Sequence, residues 1–281
     1  MNTQSQPLGP ILTADLLLKV ESKLIELLKS LSEDEWEFQT VAPKWKVKDV
    51  AAHLLDTHLR KLSIARDGYV GERPAVEASK NLAEFINRLN EEGVRMYRRL
   101  SPRVLISLME MAGRESAAYH QSLDPFAPAP FAVSWAGDTV SPNWFDTARE
   151  LTERWHHQQQ IRLAVNRPGL MTRELYHPVL DCFLRALPFR YRTIAADRGA
   201  VLKVEVPGGC GGTWYLEKDD LGWRLVDRSE APPVSRVIIP EEIAWRIFTK
   251  GIEYAEAGKL VRIEGDRELG IHVLSTVSIV A

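Results

Sequence analysis

The sequence predicts two folds in one chain: an N-terminal antiparallel four-helix bundle, then a smaller C-terminal α+β domain. Three observations predict it. Through about the first 165 positions, apolar residues recur at steps of three and four, the period of an amphipathic helix. After Arg167-Pro168-Gly169 the pattern turns to alternation of apolar and polar residues, broken by glycine-rich turn clusters. The chain has 281 residues, of which 45% are hydrophobic and 26% charged, with eight Trp, eight Phe and seven Tyr. That is enough apolar material for two cores and excludes disorder as the main state. The expected division is 8–168 for the bundle and 169–281 for the α+β domain.

The elements follow in order. Leu17, Val20, Leu24, Leu27 and Leu31 line one face of a first helix. Val47, Val50, Ala51, Leu54, Leu55 and Leu62 do so for a second, over 46–66. Leu82, Phe85, Ile86 and Leu89 mark a third, over about 81–100. Ser101-Pro102 and Ser141-Pro142 each place a capping hydroxyl before a proline at the first helical position, where its missing N–H is no loss. They start a fourth helix and a long, tryptophan-rich one over 142–165. Between these, 124–140 holds three prolines and Gly137 and reads as an ordered surface loop. A helix over 172–186 opens the second half. Strands are expected at 201–206, 213–217, 221–226 and 237–239, then a helix from Pro240 to Phe248. A last strand at 260–263 and a last helix from Asp266 complete the reading.

Composition narrows the function. Thirty-six Lys plus Arg stand against 38 Asp plus Glu, a formal charge of -2, so no basic excess points to a nucleic-acid partner. No apolar run reaches the ~18–20 residues that span a bilayer, so no membrane partner is expected. Residues 1–10 are polar and lack the pattern of a secretory signal, which points to the cytoplasm. Cys182 and Cys210 make neither a disulfide framework nor a four-cysteine zinc site.

The chemistry concentrates in Glu150-Leu-Thr-Glu-Arg-Trp-His-His157. Glu153 and His157 are four apart on a helix, so both emerge on one face, where they can bind the same metal ion. His53, in the second helix, can supply a third ligand. Two histidines and one carboxylate leave positions open for water or substrate, the mark of a catalytic rather than a structural site. The same spacing also suits a solvated helical pair, with His53 an interior histidine bonded to a backbone carbonyl. Spacing alone favours that plainer reading. His58 and His156 rival the chosen histidines, His58 because it lies nearer the middle of its helix's apolar stripe. The Glu153/His157 face is roughly opposite Trp144, Leu151 and Trp155, so this helix needs contacts on both sides.

Resemblance shifts the balance. Pro43-Lys-Trp45-Lys-Val-Lys-Asp49-Val-Ala-Ala-His53-Leu resembles the start of the second helix in DinB-like metal-binding bundles, and more narrowly the N-terminal domain of mycothiol-dependent maleylpyruvate isomerase. Ala244-Trp-Arg-Ile-Phe-Thr-Lys-Gly251 and Val261-Arg-Ile-Glu-Gly265-Asp266 are similar to that family's C-terminal domain, a small α/β unit of the sterol-carrier type. The resemblance implies His53, Glu153 and His157 as ligands of a divalent metal, usually zinc. It implies a low-molecular-weight thiol cofactor such as mycothiol, activated by the metal for an isomerase or S-transferase reaction on a small-molecule substrate. Where the family usually has an arginine, this chain reads Thr249-Lys250-Gly251, so Arg246 and Lys250 are left as candidates for a substrate carboxylate. Two other readings stay open. One is a non-catalytic metal-containing module binding a small ligand or protein partner, its metal closed by a fourth ligand such as Asp56, His58 or His156. The other is a non-haem iron oxygenase, which shares the ligand type.

Overall fold

A computed structural model describes residues 5–72 and 82–279. They form two compact units. One comprises Thr13–Pro130 and Glu150–Leu170. The other comprises Phe131–Arg149 and Met171–Ile279, together with the residues before Thr13.

The first unit is helical. Helix α1 is Ala14–Lys29, α2 is Val47–Lys61, α3 is Leu82–Tyr97 and α4 is Pro102–Gln121; α5, Asn143–Ala164, lies in this unit from Glu150 onward. Residue 81, where the third helix was expected to begin, lies outside the described residues. One core joins four of these helices: Leu24 and Leu28 of α1, Val50 and Leu54 of α2, Leu105 and Met109 of α4, and Ile161 of α5. Helix α3 contributes less. Its expected stripe is exposed at Leu82 and half-buried at Phe85, Ile86 and Leu89, and only Gly93 and Val94 are buried.

The helix starts follow the sequence in part. Ser101 caps α4, its Oγ accepting from Val104 N at 3.4 Å. At α2 the Asp49 carboxylate accepts from Lys46 N at 3.1 Å, tying the first turn to the residue before it. Ser141 does not cap α5. Its hydroxyl donates to Asp138 Oδ2 at 2.5 Å and accepts from Val133 N at 2.9 Å, so the preceding loop consumes the group that the motif offered. That loop is not all surface, for Val133 and Trp135 are buried. Beyond Lys61, α2 widens into a π-type turn over Leu62–Arg66.

The second unit holds α6, Arg173–Leu184, α7, Leu187–Tyr191, and a five-stranded mixed sheet. Strands β1, Val201–Val206, β2, Gly212–Lys218, β3, Trp223–Val226, β4, Ser235–Ile238, and β5, Arg262–Gly265, lie in the order β3-β2-β1-β4-β5. Among the described residues only β1 and β4 pair in parallel; Val204 faces Trp214 on one side and Val237 on the other. Helices α8, Glu241–Phe248, α9, Tyr254–Leu260, and α10, Arg267–Ile271, complete the unit. Residues 254–260 were not expected to be helical, and the last strand starts two residues later than alternation suggested. Tyr176 fastens α6 to α8. Its hydroxyl donates to Glu241 O at 2.9 Å and accepts from Trp245 N at 3.1 Å.

Candidate metal centre

Two helices of the first unit bring the three candidate ligands together. His53 stands on α2, and Glu153 and His157 stand one turn apart on α5. One ligand atom from each lies within 4.8 Å of the other two. The His53 and His157 rings meet edge-on with centroids 4.6 Å apart, and His157 Nε2 lies 3.5 Å from Glu153 Oε2. Both histidines are buried, and the Glu153 side chain is 23% exposed.

The protonation states suit a cation. Burial, reinforced by the neighbouring His157, holds the His53 pKa well below the ordinary imidazole value, so its ring is neutral near pH 7. Burial opposes ionisation of Glu153, but the imidazoles around it, His157 nearest, override it and lower the pKa to about 2. Gln160 fixes the tautomer of His157. The Gln160 Oε1 lies 2.9 Å from His157 Nδ1 and accepts its proton, leaving Nε2 with its lone pair toward Glu153. His53 Nδ1 is buried with no hydrogen-bond partner. A buried polar atom left unpaired costs about 1–3 kcal/mol, a cost that a cation, a water or a ligand would relieve. The donor set of two imidazole nitrogens and one carboxylate oxygen fits zinc and similar divalent ions.

The two rival histidines are engaged elsewhere. His156 Nδ1 donates to Thr152 O at 2.8 Å, although its ring lies 3.9 Å from that of His157, centroid to centroid. His58 is fully buried and its Nε2 donates to Glu21 Oε2 at 3.0 Å. Its other nitrogen lies 3.8 Å from Glu150 Oε1. Asp56 accepts from Arg60 Nε at 2.6 Å. The position of His58 in the middle of the stripe therefore serves a buried ionic network. Helix α5 is buried nearly all round: Leu151, Trp155 and Ile161 are buried apolar residues, and Glu150, Arg154, His156 and His157 are buried polar ones.

Sequence reasoning assigned no role to Trp45, yet its ring lies 4.6 Å from that of His53 and 5.8 Å from that of His157. Position 45 is placed by the segment before α2. Gln39 Nε2 sits among the carbonyls of Thr40, Ala42, Pro43 and Trp45, at 2.9 to 3.4 Å, and Thr40 Oγ1 donates to Trp45 O at 2.7 Å. The signal available in the sequence was Trp45 eight residues before His53, in the motif itself. Gln160, three residues after His157 and so on the same face of α5, was the other.

Arg246 and Lys250 belong to the second unit. Arg246 Nε donates to Gly251 O at 2.9 Å, and Lys250 is exposed, with a left-handed backbone at φ 57°.

The buried histidines make the metal-free protein acid-labile. Burial, with His157 beside it, lowers the His156 pKa from 6.5 to about 3. A histidine whose folded pKa lies below its unfolded value binds fewer protons when folded, so stability falls as pH drops through 6.5. His156 alone should cost about 2 kcal/mol by pH ~5. Melting curves of metal-free protein between pH ~7 and ~5 should show this loss, with a shallower slope for His156→Gln. An unchanged slope in that variant would sink the assignment.

A helical core that gathers two imidazoles and an ionised carboxylate, joined in one chain to a mixed-sheet unit, defines a class: two-unit bundle proteins with a candidate metal centre. Within it, this chain belongs to the mycothiol maleylpyruvate isomerase N-terminal domain family, whose sequence model matches residues 17–162. The match includes Trp45, His53, Glu153 and His157. The chain is similar in fold to a crystal structure of a histidine-to-alanine mutant of the mycothiol-dependent maleylpyruvate isomerase, with a TM-score of 0.53 and 12% identity over 89% of this chain and 91% of that one. A second structure of the mycothiol-dependent maleylpyruvate isomerase aligns with a TM-score of 0.46 and 13% identity, over 83% and 86%. No curated protein matches the sequence. Among the described residues, no helix is long and apolar enough to cross a membrane.

Proposed function

We propose that this protein is a metal-dependent enzyme of the maleylpyruvate isomerase type, an isomerase or S-transferase that uses a low-molecular-weight thiol such as mycothiol on a small-molecule substrate. The observation that carries the reading is the convergence of His53, Glu153 and His157 within 4.8 Å, in the region that the family model covers. These three would hold the metal, zinc first among divalent ions, and leave further coordination positions to solvent and ligand. A bound cation would lower the pKa of a coordinated thiol and so supply a thiolate near neutral pH. The chain's residues do the rest. Glu153 brings the negative charge that offsets the cation, Gln160 keeps His157 in the ligating tautomer, and Trp45 packs on both rings and limits their rotation.

The chain's own thiols support an external one. Cys182 and Cys210 are buried and form no disulfide, and burial together with the Glu241 carboxylate pushes the Cys210 thiol up, away from reactivity. Two cysteines outside any disulfide also suit a reducing, cytoplasmic setting. The end of the matched region at residue 162 supports a division between domains near 168/169.

The test is zinc-loaded protein given a panel of thiols, mycothiol among them, with maleylpyruvate and simple electrophiles. Turnover should require both metal and thiol. Turnover without thiol, or none with any pair, would overturn the proposal.

A further inference from the structure

The segment that places Trp45 also lines a cavity on the first unit that the His53/Glu153/His157 cluster does not share. It has a volume of about 300 Å³ and is lined by Glu37, Gln39, Lys44, Lys46, Lys48, Asp49 and Arg98. Ligand pockets for small molecules begin at about this size.

Four of the six charges are already paired. Lys46 Nζ lies 2.9 Å from Glu37 Oε2, and Arg98 Nε donates to Asp49 Oδ1 at 2.8 Å. Asp49 is buried, and its other oxygen accepts from Lys46 N, so this carboxylate is not free to turn toward the remaining cations. Lys44 and Lys48 have no ionic partner among the described residues. The cavity therefore carries two uncompensated positive charges, on a chain whose formal net charge is -2. The segment that carries Gln39, Lys44 and Lys46 is preorganised: Val47 N donates to Phe38 O at 2.9 Å, and the Gln39 and Thr40 side chains hold the backbone between them and Trp45. Isolated surface lysines are ordinarily just solvated. A fixed concavity whose other charges are mutually neutralised concentrates the field of these two on one small volume.

We propose that this cavity is an anion site that takes a small dianion, either inorganic phosphate or a short dicarboxylate. Lys44 and Lys48 neutralise its two charges, and the Arg98 guanidinium, held by Asp49, is left with further N–H donors. The site is independent of the metal. It stands or falls apart from the proposed reaction, although Asp49 lies only one helical turn before His53.

Equilibrium dialysis of the full chain against radiolabelled phosphate, and separately against radiolabelled succinate, tests it at low ionic strength. One molar equivalent of at least one probe should bind, and added salt should weaken it. Phosphate alone would define a tetrahedral oxyanion site, and succinate alone a dicarboxylate site. Lys44→Glu with Lys48→Glu should weaken binding by at least about tenfold, or ~1.4 kcal/mol. Lys44→Gln with Lys48→Gln should do so by a smaller factor. Arg103→Glu with Lys259→Glu makes the same charge change on exposed residues elsewhere and should leave affinity within about twofold, or ~0.4 kcal/mol. Zinc content should be equal in all variants, so a failure here is distinct from a failure of the metal reading. Binding of neither probe, or equal weakening by the distant pair, would overturn the proposal.

Discussion

His157→Ala is expected to strip the metal while leaving the bundle folded. The substitution removes one of three protein ligands and breaks the contact that holds Gln160. Loss of an outer-shell partner alone typically costs ~10–100-fold in metal affinity, so loss of a ligand should cost at least ~100-fold. The fold should survive, because α5 keeps Leu151, Trp155 and Ile161 in the core, and Trp155 Nε1 still donates to Leu170 O at 3.4 Å. A melting shift corresponding to about 1–2 kcal/mol is expected, the ordinary cost of truncating a buried side chain. Glu153→Gln keeps the shape and removes only the charge, so it should retain more metal than His157→Ala. Metal analysis of dialysed protein, beside thermal melts followed by circular dichroism, decides the matter. Stoichiometric zinc in a folded His157→Ala would return Glu153 and His157 to the role of a helical pair without metal.

The parts of this centre that the sequence disclosed are those fixed by one helix's geometry. The i, i+4 relation of Glu153 to His157 is visible in any helical reading of α5, and the apolar stripes read for α1 and α2 supply Leu24, Leu27, Val47, Val50, Ala51, Leu54 and Leu55 to the common core. Spacing could not rank His53 above His58. Both lie on α2, five residues apart, and the choice depends on what α1 and α5 present to each: Glu21 and Glu150 for His58, and His157 for His53. Resemblance separated them because it carries the outcome of packing. The same limit explains Ser141, whose hydroxyl was consumed by Asp138, and α9, a short helix of the second unit with a single buried residue, Ala257, and so no apolar stripe to read.

Arg154→Met is expected to produce the largest loss of stability of any single substitution considered. Arg154 is 1% exposed and sits among two carboxylates, Glu21 and Glu150, and Ser116. Its Nε donates to Glu150 Oε1 at 3.2 Å, its Nη2 to Ser116 Oγ at 2.8 Å, and its Nη1 lies 3.6 Å from Glu21 Oε2. Gly113 leaves room for Glu21, since a Cβ there would fall 2.4 Å from its carboxyl carbon. Burial by itself would raise both carboxyls, yet His58 and Arg154 hold Glu21 below its ordinary value, and Arg154 and Lys61 hold Glu150 far below. Removing one partner from such a buried set costs ~3–5 kcal/mol, because the desolvation of the remaining charges is no longer offset. The pH dependence gives a second, sharper reading. With depressed folded pKa values, the wild-type carboxylates contribute stability that is present above pH ~4.5 and is lost as pH falls through the folded values. In Arg154→Met, burial acts on Glu21 with only His58 beside it and on Glu150 with Lys61 as its main counter-charge, so both pKa values rise. Protonation then relieves the unpaired charge, and the stability difference between wild type and variant should narrow from pH ~7 toward ~4.5. Denaturant titrations at the two pH values measure that difference directly. A gap that is small at pH ~7, or that stays constant with pH, would show that the guanidinium does not carry the burial of these two carboxylates.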